Sequence, residues 1–229
     1  MKGLRPDAIL SAMNEFILRL SISLPGFMLA VCVHEASHAL MAKLYGDNTA
    51  ESQGRLSLNP AVHYDLVGTI LFPLFGAAIG GVMFGWAKPV PINTRNFKNI
   101  KSGTFWVSFA GPLSNIILAI LSALIFAIVV TQVSPTFAYF QIITDMLRQS
   151  LIINLVLAVF NLIPFPPLDG SRMLSTFLSY ENAYKFEALQ RYSFIFILLL
   201  WFTPIFKYLL MPAFAFANII VNLFVHLLS

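Results

Sequence analysis

The sequence predicts an all-α membrane protein, a polytopic helical bundle of five to six membrane segments with a re-entrant or extended element between its first and second core helices. Three observations lead there. Of 229 residues, 58% are hydrophobic and only 10% charged, whereas a soluble domain carries about a quarter charged residues. Mean hydropathy is +0.80. The apolar residues also fall in long runs, and about 20 consecutive apolar residues span the hydrocarbon layer as a helix. Too few polar side chains remain to cover a soluble core, so lipid is the solvent for much of this surface.

Taken in order, the first apolar segment covers residues 16–44, interrupted by Arg19 and by His34-Glu35-Ala36-Ser37-His38. Lys2 and Arg5 precede it, but no small-residue cleavage site follows, so it reads as a retained helix. A polar stretch over 46–65 carries the turn formers Gly46-Asp47-Asn48, Gly54 and Asn59-Pro60. The uncharged run 66–87 is broken by Pro73, Gly76 and Gly80-Gly81, which fits a broken or re-entrant path. The basic loop 88–101 contains Pro89-Val90-Pro91, extended because proline lacks an N–H and restricts the residue before it. This stretch is a candidate to pair with an unwound peptide as an added strand.

A long helix is expected over 104–130, with Gly111-Pro112 near its start, followed by a turn over 131–135. The next apolar stretch, 151–163, ends at Pro164-Phe165-Pro166-Pro167-Leu168-Asp169-Gly170, where three prolines in four residues stop a helix. After the polar residues 171–191, two apolar runs remain, 194–210 and 213–228, joined near Pro212. No linker or charged tail sets off a soluble module. The expectation is one integral membrane domain over 1–229, with a catalytic core over about 16–175 and C-terminal membrane segments over about 191–228.

The net charge of +4 sits in loops. No basic stripe interleaved with aromatics is present, so nucleic acid is not expected as a partner. The single cysteine, Cys32, excludes an internal disulfide, and its spacing from His34 points it away from that residue on a helix.

The chemistry concentrates at His34-Glu35-Ala36-Ser37-His38. Histidines four apart share one helix face, where two imidazoles can hold one zinc ion while the adjacent glutamate takes a proton from water that the metal has acidified. Charged groups inside an apolar segment are costly and usually mark function. A third ligand must reach the same depth. Asp169 is the best candidate, because it too ends an apolar segment. The competing reading makes it an N-cap for Gly170-Ser171-Arg172, and Glu51, Asp65, Glu181 and Glu187 are rivals in polar loops.

His34-Glu35-Ala36-Ser37-His38, followed by Asn161-Leu162-Ile163-Pro164-Phe165-Pro166-Pro167-Leu168-Asp169-Gly170, resembles the HExxH and NxxPxxxxDG pair of the site-2 proteases. Ala110-Gly111-Pro112-Leu113-Ser114-Asn115 resembles the small-residue helix start between those motifs. The stretch Gly54-Arg55-Leu56-Ser57-Leu58-Asn59-Pro60 through His63, Asp65 and Gly68-Thr69, with Ala87-Lys88-Pro89-Val90-Pro91, is similar to a compact prokaryotic branch. The resemblance covers roughly residues 28–175 and leaves no room for a PDZ or CBS module. It implies an intramembrane zinc metalloendopeptidase with His34, His38 and Asp169 on one Zn2+, Glu35 as base, and Asn161 holding substrate or the oxyanion. Its partners would be transmembrane protein substrates and the bilayer, in a prokaryotic cell membrane. Asn115 reads as a helix-packing residue and His63 as a solvated loop residue.

Charge sets an expected orientation. Lys88, Arg95, Lys98 and Lys101 in one loop and Arg172, Lys185 and Arg191 in another oppose a single Arg148 in 131–150. The positive-inside rule puts the two basic loops, and with them the metal motif, on the cytoplasmic side. Two other readings remain at this stage. A zinc or proton-coupled transporter would also bury His and Asp, and a Ste24-like HExxH protease would take Glu181 or Glu187 as its third ligand.

Overall fold

A computed structural model describes residues 6–79 and 85–229. Its helices are α1 (Pro6–Leu44), the short α2 (Thr49–Ser52) and α3 (Pro60–His63), and α4 (Phe72–Ile79), entered through a π-helical turn over Leu66–Leu71. There follow α5 (Ile100–Gln132), α6 (Phe140–Leu162), α7 (Asp169–Ser175), α8 (Tyr180–Glu187), α9 (Ser193–Phe202) and α10 (Ile205–Leu228). No strand occurs among the described residues. Among the described residues, four helices are long and apolar enough to cross a membrane: Leu10–Leu44, Ile100–Gln132, Phe140–Leu162 and Ile205–Leu228. The protein is thus an all-α, multi-pass membrane protein.

Each of the six expected apolar segments contains helix, and two of the helical stretches are short: 66–79 and α9. The last break differs from the expectation. It falls at Thr203-Pro204, with Pro204 at the start of α10, while Pro212 lies inside that helix. A membrane helix tolerates such a proline because neighbouring groups re-satisfy the backbone it frees. Helix α6 begins at Phe140, earlier than the apolar run over 151–163. Its first turns carry Gln141 and Asp145, which bond at 3.0 and 3.1 Å one turn apart.

The bundle core joins α1, α5 and α6, with α10 against the last two. Phe27, Ala30, Val31 and Cys32 pack with Ile153 and Leu157. Ala119 and Ala123 meet Leu151, Leu155, Ala213 and Ala217. Small residues let membrane helices approach closely, which replaces the hydrophobic drive that lipid removes. Gln132 Nε2 donates to Leu228 O at 3.0 Å, so α5 and α10 end at the same level and run parallel.

Between α1 and α5 the chain enters and returns. Asp65 caps the π-helical turn, accepting from Val67 N at 3.1 Å and Gly68 N at 2.7 Å. By Trp86 the chain is back beside Gly68, with Trp86 N donating to Gly68 O at 3.1 Å and Thr69 Oγ1 to Trp86 O at 3.0 Å. The two described ends of this stretch therefore lie side by side, on either side of residues 80–84. The pair Gly80-Gly81, expected to break that run, lies outside the described residues. Residues 85–93 form neither helix nor strand, in the place where Pro89-Val90-Pro91 predicts an extended segment. Their ends are pinned by Lys88 N to His63 O at 2.8 Å and Asn93 N to Asp47 Oδ2 at 2.7 Å.

Candidate metal centre

Each side chain of the predicted motif arrives on a helix whose end is fixed by local chemistry. His34 and His38 face one way from the C-terminal half of α1. The start of α5, capped by Asn99 accepting from Ser102 N at 3.0 Å, brings Gly111 against them. A Cβ at Gly111 would lie 2.5 Å from His38 Nε2 and 2.6 Å from His34 Nε2, so only glycine admits both rings. The prolines after α6 turn the chain back, and Gly170 packs so tightly on the end of α6 that a Cβ there would meet Leu162 O at 2.2 Å. That approach seats Asp169 in the first turn of α7. Leu168 occupies the N-cap and Asp169 lies inside the helix, so the capping reading of Asp169 does not hold.

The three donor atoms converge. Asp169 Oδ2 is 3.2 Å from His34 Nε2 and 3.3 Å from His38 Nε2, and the two imidazole nitrogens are 3.0 Å apart. Four ligands at zinc's usual 2.0–2.1 Å in a tetrahedron are spaced about 3.3–3.4 Å apart, close to these edges. Protonation agrees. His34 Nδ1 lies 2.6 Å from Asn115 Oδ1, and His38 Nδ1 lies 2.6 Å from Val107 O. Asn115 Nδ2 donates to Ala30 O at 3.2 Å and Asn154 Oδ1 at 2.9 Å, and Asn154 Nδ2 to Ser150 O at 2.9 Å. That chain makes Asn115 Oδ1 an acceptor, so each histidine donates from Nδ1 and turns Nε2 inward as the atom that can bind a cation. Asp169 Oδ2 is buried without a hydrogen-bond partner. Two imidazole nitrogens and a carboxylate oxygen this close repel unless a proton or a cation lies among them, and two imidazoles with one carboxylate at these spacings fit a zinc ion.

Glu35 stands beside the cluster, half-buried on α1. Its Oε2 accepts from Val90 N at 2.9 Å, and no described residue bonds to its Oε1. Along 88–91 no N–H remains to offer: Pro89 and Pro91 have none, Lys88 N goes to His63 O and Val90 N to Glu35. An added strand would find only carbonyls on this stretch.

Comparison with known proteins decides the family. A profile of Peptidase family M50 matches residues 128–201. YwhC of Bacillus subtilis (strain 168), provisionally named a zinc metalloprotease, is 40% identical over 181 residues, 79% of this chain and 80% of that protein. The chain belongs to peptidase family M50. Rip2 of Mycolicibacterium smegmatis, with the same provisional name, is 30% identical over 198 residues, 85% of this chain and 70% of that protein. Rip2 of Mycobacterium tuberculosis (strain H37Rv) is 28% identical over 179 residues, 78% of this chain and 66% of that protein. No solved structure matches.

The rival carboxylates of this M50 peptidase are engaged or exposed away from the cluster. Glu51 pairs with Lys43 at 2.6 Å, Glu181 with Lys185, Asp65 caps its turn, and Glu187 is exposed. Asn161 donates to Leu157 O of its own helix at 3.0 Å. His63, expected to be solvated, is 1% exposed. Helix α3 folds it under the extended segment, where its Nε2 lies 2.7 Å from Ser57 O. Sequence reasoning assigned Asn115 to helix packing. It does pack, fully buried between α1 and α6, and it also holds His34. Its position four residues after Gly111, the one residue that admits the two rings, was the available signal.

Proposed function

We propose that His34, His38 and Asp169 hold one zinc ion per chain and that Glu35 is the general base. Through them this M50 peptidase hydrolyses peptide bonds of transmembrane protein substrates within or beside the bilayer. Membership in M50 makes the protein an intramembrane zinc metalloprotease, and the 1–229 chain is read as a single protease domain. The observation that carries the residue assignment is the convergence of His34 Nε2, His38 Nε2 and Asp169 Oδ2, the last without any other partner.

Zinc, when bound, supplies a Lewis acid that acidifies water and polarises a carbonyl. The chain's own groups do the rest. Glu35 is steered through Oε2 by the Val90 N–H, which leaves Oε1 to take the proton of the attacking water and return it to the leaving amine. Asn161 offers its amide to the developing oxyanion, after its side chain turns away from Leu157 O. Val107 O and Asn115 Oδ1 keep the imidazole protons on the outer nitrogens throughout. A helical substrate hides its peptide groups in its own hydrogen bonds, so it must unwind locally before it is cut.

The basic loops with Lys88, Arg95, Lys98 and Lys101 and with Arg172, Lys185 and Arg191, set against a lone Arg148 in 131–150, support an active site nearer the cytoplasmic side. The bacterial relatives support a prokaryotic cell membrane. The transporter and Ste24-like readings gain no support, since Glu181 and Glu187 lie on the exposed α8.

The test is zinc per chain in purified wild type and in the His38→Ala, Asp169→Ala and Glu35→Gln variants. About one zinc is expected in wild type and in Glu35→Gln, little in the other two, and no proteolysis in any variant. Full zinc in Asp169→Ala would break the ligand set.

A further inference from the structure

We infer that Arg55 is a positioning residue for Glu35, acting through the single peptide group that joins Pro89 to Val90; this rests on the reading of Glu35 as general base. Arg55 is 8% exposed, and no ion pair joins it to a carboxylate of any described residue. Its Nη2 instead donates to two consecutive carbonyls, Lys88 O and Pro89 O, the latter at 3.1 Å. Pro89 O and Val90 N belong to the same peptide group. That group is planar, and trans geometry points its C=O and N–H in opposite directions. A guanidinium on the oxygen therefore fixes where the N–H points, and the N–H points to Glu35 Oε2 at 2.9 Å.

Two physical effects act together. Fixing the peptide plane fixes which carboxylate oxygen is held and which remains open. A positive charge on the carbonyl oxygen also polarises the peptide and strengthens its N–H as a donor, as hydrogen bonds in series do. The next proline matters too, because Val90 precedes Pro91 and its backbone is restricted by that ring, which narrows the settings open to the peptide once its oxygen is held.

A buried arginine is expensive unless its charge is answered, and the carboxylate bonded to the other end of this peptide is that of Glu35. Its Nε remains buried without a partner, so the side chain is committed to those two carbonyls at the expense of its own hydrogen bonding. His63 and Asp47 also anchor the extended segment, through Lys88 N and Asn93 N, but neither touches the Pro89–Val90 peptide.

The experiment uses the full chain in detergent, with casein as a generic probe. It measures kcat, KM, zinc per chain and thermal unfolding for Arg55→Gln, Arg55→Lys, Glu35→Asp and the Arg55→Gln/Glu35→Asp double variant. Arg55→Gln is expected to lower kcat about tenfold or more with KM changed less than roughly twofold and zinc retained. Arg55→Lys, which restores a charge and a donor, recovers part of that loss. The double variant loses less than the product of the single losses, because both changes act on one carboxylate. An Arg55→Gln enzyme with unchanged kcat would overturn the inference. So would losses that multiply in the double variant, or a fall in kcat that merely tracks lost zinc or lost folded protein. If Arg55→Gln does not fold, the Arg55→Lys and Glu35→Asp pair carries the same cycle. Glu35→Gln in the same assay separates the two claims, since turnover retained there removes the base assignment whatever Arg55 does.

Discussion

Asn115 Oδ1 lies 2.6 Å from His34 Nδ1, although 81 positions separate the two residues in the chain. The contact ties α5 to α1 at the level of the proposed metal, and Asn154 extends it to α6. Removing such a partner lowers metal affinity about 10–100-fold in other sites. Asn115→Ala is expected to weaken zinc binding on that scale, read by competition with a chelator of known affinity. Unchanged affinity would mean that the bond serves only helix packing.

Gly111→Ala should be more severe than its one added methyl group suggests. The Cβ would fall 2.5 Å from His38 Nε2, and neither ring can swing aside without breaking its Nδ1 hydrogen bond. Zinc content and proteolysis are both expected to collapse while the helical circular dichroism signal stays near wild type. Near-normal zinc would show that α5 can shift.

Asn161→Ala separates binding from chemistry. Its amide contacts none of the proposed ligands, so zinc per chain should remain at the wild-type level. Loss of an oxyanion donor costs about 10²–10³ in kcat. A kcat within a few-fold of wild type would assign Asn161 to its bond with Leu157 O alone.

Asp47 predicts an acid response outside the metal site. Burial opposes its ionisation, but hydrogen bonds from Thr49, Asn93 and Asn96 outweigh that and hold its carboxyl below the usual carboxylate range. A folded value below the unfolded one gives stabilisation that is complete above the unfolded value of about 3.9 and is lost as pH falls through the folded value. Asp47→Asn should lower stability at neutral pH by about 1–3 kcal/mol, the range for leaving buried donors poorly satisfied. It should also flatten the decline in thermal stability below a pH of about 4. Parallel pH curves for the two proteins would rule out Asp47 as the source.

The parts of this structure written locally were legible in the sequence. His34, Glu35 and His38 share one helix, the prolines after Ile163 stop another, and the glycine- and proline-broken run after Asp65 turns back on itself. Asp169 was legible as a candidate because it ends an apolar segment as the histidines do, although an N-cap role competed with that reading in the sequence. What stayed hidden depends on contacts between distant residues. His63 looked solvated until α3 folded it under the extended segment. Arg55 carried no role in the sequence, since nothing local reveals that its guanidinium ends on Pro89 O. The break before α10 was misplaced because a proline reads alike at a helix start and inside a membrane helix, and only neighbouring packing decides between them.

The proposed ligands come from α1 and α7, about 130 residues apart in the chain, with the whole of α5 and α6 between them. An ion held by all three is therefore a cross-link as well as a reagent, closing a loop that spans most of the bundle. Its loss would release α7 from α1 at this end of the bundle. Metal supply would then set how long the protein survives as well as how fast it cuts, because a loosened bundle is what cellular quality-control proteases degrade.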